Sequence, residues 1–307
     1  MREQPLVSIA LCTYNGGRFL NQQLDSILAQ THHNLEIVIV DDCSTDNTSD
    51  IISHYVQNDK RIKFFRNETN LGFNKNFEKA IGLTTGEYIS ISDQDDIWLP
   101  GKIAALMKNV ADNWLIYSKS EFINEKNEIL PGRMLNESGV VPADYKGILL
   151  ANFVTGHTVL FKREFISYFL PFPETGFYDW WMGFIALYHH KAIFLNEILT
   201  QYRIHDASVI QKRANSGQEK MDEITAISNM FSAFESYKNL EDADAVFIAR
   251  LSEAWKKNIL SENPLPLIKL ISNHYSELFV NHKSRNGFSR INFAFKYARN
   301  TRKCARR

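Results

Sequence analysis

"LEIVIVDDCSTDNTSDIISHYVQND", residues 35–59, carries the pattern on which the fold turns. Residues 35–42 form a nearly continuous apolar run that ends in two carboxylates, the pattern of a strand covered on both faces. Capping residues follow at once. Ser44 or Thr45 is placed to cap a helix, with Asp46 in its first turn. A solid apolar strand that passes directly into a helix is the repeating unit of a parallel sheet sandwiched between helices.

The same unit recurs on either side. "LVSIALCT" (6–13) reads as a strand that stops at the turn signal "YNGG", and residues 19–31 place Phe19, Leu20, Leu24, Ile27 and Leu28 at helical spacing. Strands are expected at 62–67 and 87–93, with a helix at 74–84 between them. From about residue 115 the alternation weakens. "LIYSKSEFIN" (115–124) and "TGHTVLFKREF" (155–165) read as further strands around a loop at 131–147, and "YDWWMGFIALYHH" (178–190) reads as a helix. Beyond 210 the chain becomes polar and helical, with segments near 217–239, 243–260 and 264–281. The expectation is an α/β domain over 1–210 and a helical region with a basic tail over 211–307.

Composition narrows the function. The 307 residues are 44% hydrophobic, enough for a full core, and 35 basic residues balance 35 acidic ones, which removes the global electrostatic argument for nucleic acid binding. Three widely spaced cysteines, Cys12, Cys43 and Cys304, form neither a disulfide framework nor a zinc pattern. With no leader pattern at the N-terminus and no apolar run near the ~20 residues of a membrane span, the expected location is the cytoplasm.

Ligands of open parallel sheets sit beyond the carboxyl ends of the strands. Three polar clusters fall there: "TYNGG" (13–17), "DDCSTD" (41–46) and "SDQDD" (92–96). Asp93, Asp95 and Asp96 are packed like charges that repel one another, so the cluster points to a cation or a proton-bearing ligand among them. Neither the dinucleotide fingerprint G-x-G-x-x-G nor the P-loop occurs. Carboxylates at the ligand end suit a diphosphate held through a divalent metal, which reverses the repulsion between carboxylate and phosphate.

"VSIALCTYNGGRFLNQQLDSILAQT", "EIVIVDDCSTDNT", "NLGFNKNFEKAI" and "GEYISISDQDDIW", in this order, resemble glycosyltransferase family 2 over residues 6 to about 210. "SDQDDIW" with the later "YDWW" and "YRIH" is most similar to bacterial enzymes that build O-antigen and capsule, rhamnosyltransferases among them. The resemblance implies a GT-A fold with a mostly parallel, Rossmann-like nucleotide-binding sheet, and inverting transfer from dTDP-rhamnose or a UDP-hexose to a glycan, with a lipid-linked acceptor expected. It implies that Thr13, Tyr14, Asn15 and Gln94 line the nucleotide-sugar site, that Asp42 accepts the imide hydrogen of the base, and that Asp93 approaches the ribose. Asp95 and His205 would bind Mg²⁺ or Mn²⁺, and Arg203 would neutralise the leaving group. Asp179 would be the general base, with His157, Trp180 and Trp181 toward the acceptor.

Other readings of the same residues stand beside these. Asp96 suits an N-cap of a helix starting near Pro100 as well as a metal contact. Asp179 could be a cap, with the tryptophans as core, and His157 a hydrogen-bonded structural residue; His189 and His190 read as structural. Asp93 and Asp95 also fit a haloacid-dehalogenase-type phosphotransferase, and a non-catalytic sugar-nucleotide-binding protein is a third reading. After Glu277 no acid follows, and nine cations interleave with Phe288, Ile291, Phe293, Phe295 and Tyr297. That composition fits peripheral binding to the anionic inner face of the cell membrane, or a basic end whose aromatics pack on the protein.

Overall fold

In the computed structural model, which describes residues 4–133, 144–206 and 219–305, the alternation read from the first hundred residues is realised element by element. It runs β1 (Val7–Thr13), α1 (Leu20–Leu28), β2 (Leu35–Asp41), α2 (Thr48–Asn58), β3 (Ile62–Arg66), α3 (Phe73–Leu83) and β4 (Tyr88–Ser92). Every residue of β2 is buried, as a strand covered on both faces requires. Helix α1 buries Leu20, Gln23, Leu24 and Ile27, the i, i+3, i+4, i+7 set that one helical face presents.

Helix α2 starts later than its capping signals suggest. Ser44 donates to the Asp41 carboxylate through both its N–H and its hydroxyl, and the Thr45 N–H goes to Asn15 Oδ1. Asp46 precedes the helix and accepts from the Thr48 N–H. Ser44 Oγ, which a cap would offer as an acceptor to the first helical turn, takes the Asn15 N–H at 2.8 Å instead.

The remaining strands are β5 (Ile97–Trp98), β6 (Leu115–Ile123), β7 (Ile129–Arg133), β8 (Val159–Lys162) and β9 (Ala192–Arg203), with α4 (Lys102–Asn109) and α5 (Ile166–Phe169) among them. The nine strands of the described residues share one sheet in the order β3-β2-β1-β4-β8-β6-β9-β5, with β7 paired to β6. The first four are mutually parallel. Strand β8 then runs antiparallel to both β4 and β6, β9 is parallel to β6, and β5 is antiparallel to β9. The sheet is therefore mixed rather than mostly parallel: its second half is made of strands joined by returns too irregular for periodicity to orient.

The chain forms two compact units. One comprises Met1–Gly139, Val154–Phe172 and His189–His205 and holds the sheet; the other comprises Val140–Phe153, Pro173–Tyr188 and Asp206–Arg307. The expected junction at 210–211 lies outside the described residues. The second unit contains α6 (Tyr178–Tyr188), α7 (Glu219–Glu235), α8 (Asp242–Ile259), α9 (Leu265–Asn273), α10 (Tyr275–Leu278) and α11 (Gly287–Ala305). Its core is aromatic: Phe184 packs on Phe234 at 4.4 Å between ring centroids, and Phe231 meets Trp255 at 6.2 Å. Most of the tail, read from sequence without a secondary structure, is the helix α11.

Candidate active site

Strands β1, β2 and β4 end side by side, with Thr13 opposite Asp41 and Leu11 opposite Ser92. The three polar clusters therefore converge on one edge of the sheet, where the dipoles and loops of a parallel sheet meet their ligand. Strand β5 closes the other side. Its pairing of Ile97 with Gln201 sets the turn Asp93–Asp96 against the end of β9, where Arg203 and His205 stand.

The first loop is held by its neighbours. Thr13 donates to Asp41 at 2.8 Å, and Gln94 clasps the Tyr14 peptide from both sides, accepting from its N–H at 2.8 Å and donating to its carbonyl at 3.1 Å. A Cβ on Gly16 would lie 2.1 Å from Gln94 Oε1, so only glycine fits beneath that clasp. Asn15 takes a left-handed backbone (φ 49°) that asparagine tolerates, and its N–H reaches Ser44 Oγ at 2.8 Å. Tyr14 is left 49% exposed at the mouth. Asp42 is buried and accepts from Asn67, Leu71 and Gly72, so in this state it holds the 67–72 loop.

The carboxylates sort into two groups. Asp95 Oδ2 meets His205 Nε2 at 2.8 Å, with both side chains mostly buried. Asp93, Asp96 and His157 form a second group whose potential ligand atoms all lie within 4.8 Å of one another. Asp96 is fully buried; one oxygen accepts from the Arg203 N–H at 3.1 Å and the other has no hydrogen-bond partner among the described residues. Burial, then the charges of Asp95 and Asp93, push its pKa well above the carboxylate range. Helix α4 begins at Lys102 with Gly101 as its cap residue, so Asp96 is not a helix cap.

His157, expected toward the acceptor, is buried and stands inside this group. Its Nδ1 lies 4.0 Å from Asp93 and its Nε2 lies 3.1 Å from Ser120 Oγ. Burial, then the Lys102 charge, push its pKa down to about 3, so the ring is neutral at physiological pH. A neutral imidazole beside two carboxylates, one with a buried oxygen that lacks a partner, is a donor set that fits a divalent cation.

Arg203 is 1% exposed and works within the protein. Its guanidinium donates to the Asp95 carbonyl at 2.8 Å, the Asn124 carbonyl at 2.9 Å, Asn127 Oδ1 at 2.6 Å and Gln22 Oε1 at 2.8 Å, and it lies over the Phe19 ring. These contacts tie Arg203 to the Asp95–Asp96 turn. Lys102, passed over in the sequence, is also fully buried. Its ammonium donates to the His157 carbonyl at 2.5 Å and sits 3.5 Å from the centroid of the Trp98 ring, and burial pushes its pKa well down. The only sequence signal for it is its i+4 spacing from Trp98.

In the second unit, Asp179 occupies the first turn of α6 and accepts the Trp180 N–H at 2.7 Å. Trp180 and Trp181 are each 6% exposed. The Trp180 indole donates to the Ile148 carbonyl at 2.6 Å, and Trp181 packs on Phe184 and Tyr237. Their faces are engaged by protein rather than offered to a sugar.

Residues 8–169 match the family model described as glycosyl transferase family 2. An uncharacterised glycosyltransferase of Methanocaldococcus jannaschii is 32% identical over 66% of this chain and 72% of its own. The Escherichia coli protein WfaP, named as a UDP-Glc:α-D-GlcNAc-diphosphoundecaprenol β-1,3-glucosyltransferase, is 29% identical over 66% of this chain and 79% of its own. Among solved structures, S. aureus TarS 1–349 with UDP-GlcNAc superposes with a TM-score of 0.61 at 17% identity, covering 98% of this chain and 89% of that one. The mannosyltransferase PcManGT of Pyrobaculum calidifontis, solved with GDP-Man and Mn²⁺, gives 0.60 at 15% identity over 99% and 85%. The fold is the GT-A fold of these structures, a curled mixed sheet flanked by helices, and the phosphotransferase and non-catalytic readings are not favoured. With the family model covering more than half of the sequence and the carboxylates gathered at the ligand end of the sheet, this chain belongs to glycosyltransferase family 2.

Proposed function

We propose that the protein is an inverting, metal-dependent hexosyltransferase that passes a sugar from a nucleoside diphosphate sugar to a lipid-linked glycan in bacterial surface polysaccharide assembly, O-antigen or capsule. The observation that carries this reading is the Asp95–His205 pair at 2.8 Å beside the Asp93–Asp96–His157 group. The donor is a UDP-hexose or dTDP-rhamnose; the name of WfaP supports the first and, through its diphosphoundecaprenol acceptor, the lipid link. The work would take place in the cytoplasm, at the inner face of the membrane.

Thr13, Tyr14, Asn15 and Asp42 would hold the base, with Gln94 fixing the Tyr14 loop, and Asp93 would face the ribose. Asp95 and His205 would hold Mg²⁺ or Mn²⁺, with Asp93, Asp96 and His157 adjoining. When bound, such a cation neutralises charge on the diphosphate and so makes it a better leaving group. Arg203 keeps the Asp95–Asp96 turn in place from behind. Asp179 would take the proton of the acceptor hydroxyl as that oxygen attacks the anomeric carbon, inverting it.

The test is a panel of UDP-, dTDP- and GDP-sugars with Mn²⁺, Mg²⁺ or chelator, read by thermal shift and by slow donor hydrolysis. A matched donor at 100 times its Kd should stabilise the protein by about 2.7 kcal/mol, only with metal, and Asp95→Ala should abolish that shift. Stabilisation that persists in chelator or in Asp95→Ala would remove the metal assignment; no response to any nucleotide sugar would remove the donor reading.

A further inference from the structure

The aromatics of the C-terminal segment divide into two sets. Phe293 packs on Tyr275 at 5.1 Å and on Phe279 at 4.9 Å, Tyr297 packs on Phe279 at 5.2 Å, and Ala294 and Ala298 are buried. Asn258 on α8 donates to the Ala298 carbonyl at 3.1 Å and to Thr301 at 2.8 Å. This inner face fastens α11 to the rest of its unit.

The other set points outward. Phe288 is 83% exposed, Ile291 54% and Phe295 53%. At about 100° per residue these three fall within about 60° of one another on the helix, with Phe293 and Tyr297 roughly opposite. Lys296, Arg299 and Lys303 are exposed on the adjoining strip of the same outer face, and Lys283 is exposed just before the helix. No acid occurs after Glu277 to offset them. Three large apolar side chains, each at least half exposed, thus lie beside a strip of cations on the surface of the unit.

We propose that this outer face of α11 docks on an anionic lipid surface, with Phe288, Ile291 and Phe295 inserted at the headgroup boundary and Lys296, Arg299 and Lys303 over the lipid phosphates. Charge complementarity selects this occupant: an apolar stripe flanked by Lys296, Arg299 and Lys303 matches an interface whose own charge is negative, and the inserted apolar side chains supply the part of the binding that salt does not screen. The proposal stands apart from the catalytic reading, since it needs no residue of the sheet unit.

Because the inner face of α11 is core, truncation would test folding rather than docking; point variants of the full chain are required. Co-sedimentation with vesicles of phosphatidylcholine alone, and with about 30% phosphatidylglycerol, supplies the measurement. The parent should bind the anionic vesicles and lose binding as salt rises, with each cation near the surface contributing roughly fivefold. Phe288→Ser/Ile291→Ser/Phe295→Ser should weaken binding at least tenfold, and Lys296→Glu/Arg299→Glu/Lys303→Glu should abolish it. Both should keep the parent's melting temperature because every altered side chain is exposed. Equal vesicle binding by parent and variants overturns the proposal. So does a stripe variant that changes oligomeric state by light scattering without changing vesicle binding, which would make the face a contact between copies of the chain.

Discussion

Replacing Arg203 by lysine separates a buried anchor from a ligand contact. The guanidinium serves four acceptors that belong to three segments of the sheet unit, and the side chain is 1% exposed. Lysine keeps the charge but has one ammonium in place of the planar fork, so it can reach one or two of those acceptors. Two or three buried oxygens then lose their donor, and at about 1–2 kcal/mol each the variant should be destabilised by roughly 3–5 kcal/mol. For a domain of this size that lowers Tm on the order of 10 °C. The Asp95–Asp96 turn would also loosen, so Mn²⁺-dependent affinity for UDP should fall even when measured well below the new Tm. Differential scanning calorimetry gives the first number and titration calorimetry with UDP and Mn²⁺ the second. If Arg203 instead met the diphosphate, Arg203→Lys would melt within about 2 °C of the parent and lose only ligand affinity; that outcome would refute the anchoring argument.

Asp179→Asn should leave donor affinity and Tm nearly unchanged, because asparagine retains an oxygen for the Trp180 N–H, while turnover drops roughly 10²–10⁴-fold; turnover within a few fold of the parent would make Asp179 structural. Glu36 gives a pH signature. Burial alone would raise its pKa, but the Lys63 ammonium at 2.6 Å, the Ser8 hydroxyl and the Thr85 N–H and hydroxyl outweigh that and hold it at about 2, against 4.5 unperturbed. A depressed folded-state pKa stabilises above pH 4.5, and that contribution is lost as pH falls from 4.5 toward 2. The shift sets a ceiling of about 3.4 kcal/mol, which half-exposed Lys63 brings nearer to about 2. Glu36→Gln should therefore lower stability at pH 7 by that amount and flatten the acid limb of a urea-denaturation series; an unchanged acid limb would count against it.

The ligand end of the sheet was legible because its signals are local. A strand covered on both faces shows itself as an unbroken apolar run, and a polar loop after it shows itself as an interruption, so β1, β2, β4 and the clusters after them could be located from periodicity alone. Glu36 is a signal of the same kind, a lone carboxylate inside "LEIVIV" that had to find partners. What the tertiary structure decided are matters of burial and pairing between segments distant in sequence. Arg203 meets Gln22 across 181 residues, and His157 meets Asp93 through the antiparallel insertion of β8. Neither contact leaves a trace in local composition, so an arginine and a histidine near a ligand site read as ligand contacts until their own hydrogen bonds are known. The same limit applies to the aromatics. Trp180, Trp181 and Phe288 carry similar apolar surface in the sequence, and only packing consigns the first two to the interior and leaves Phe288 in water, because burial depends on what each face of a helix meets.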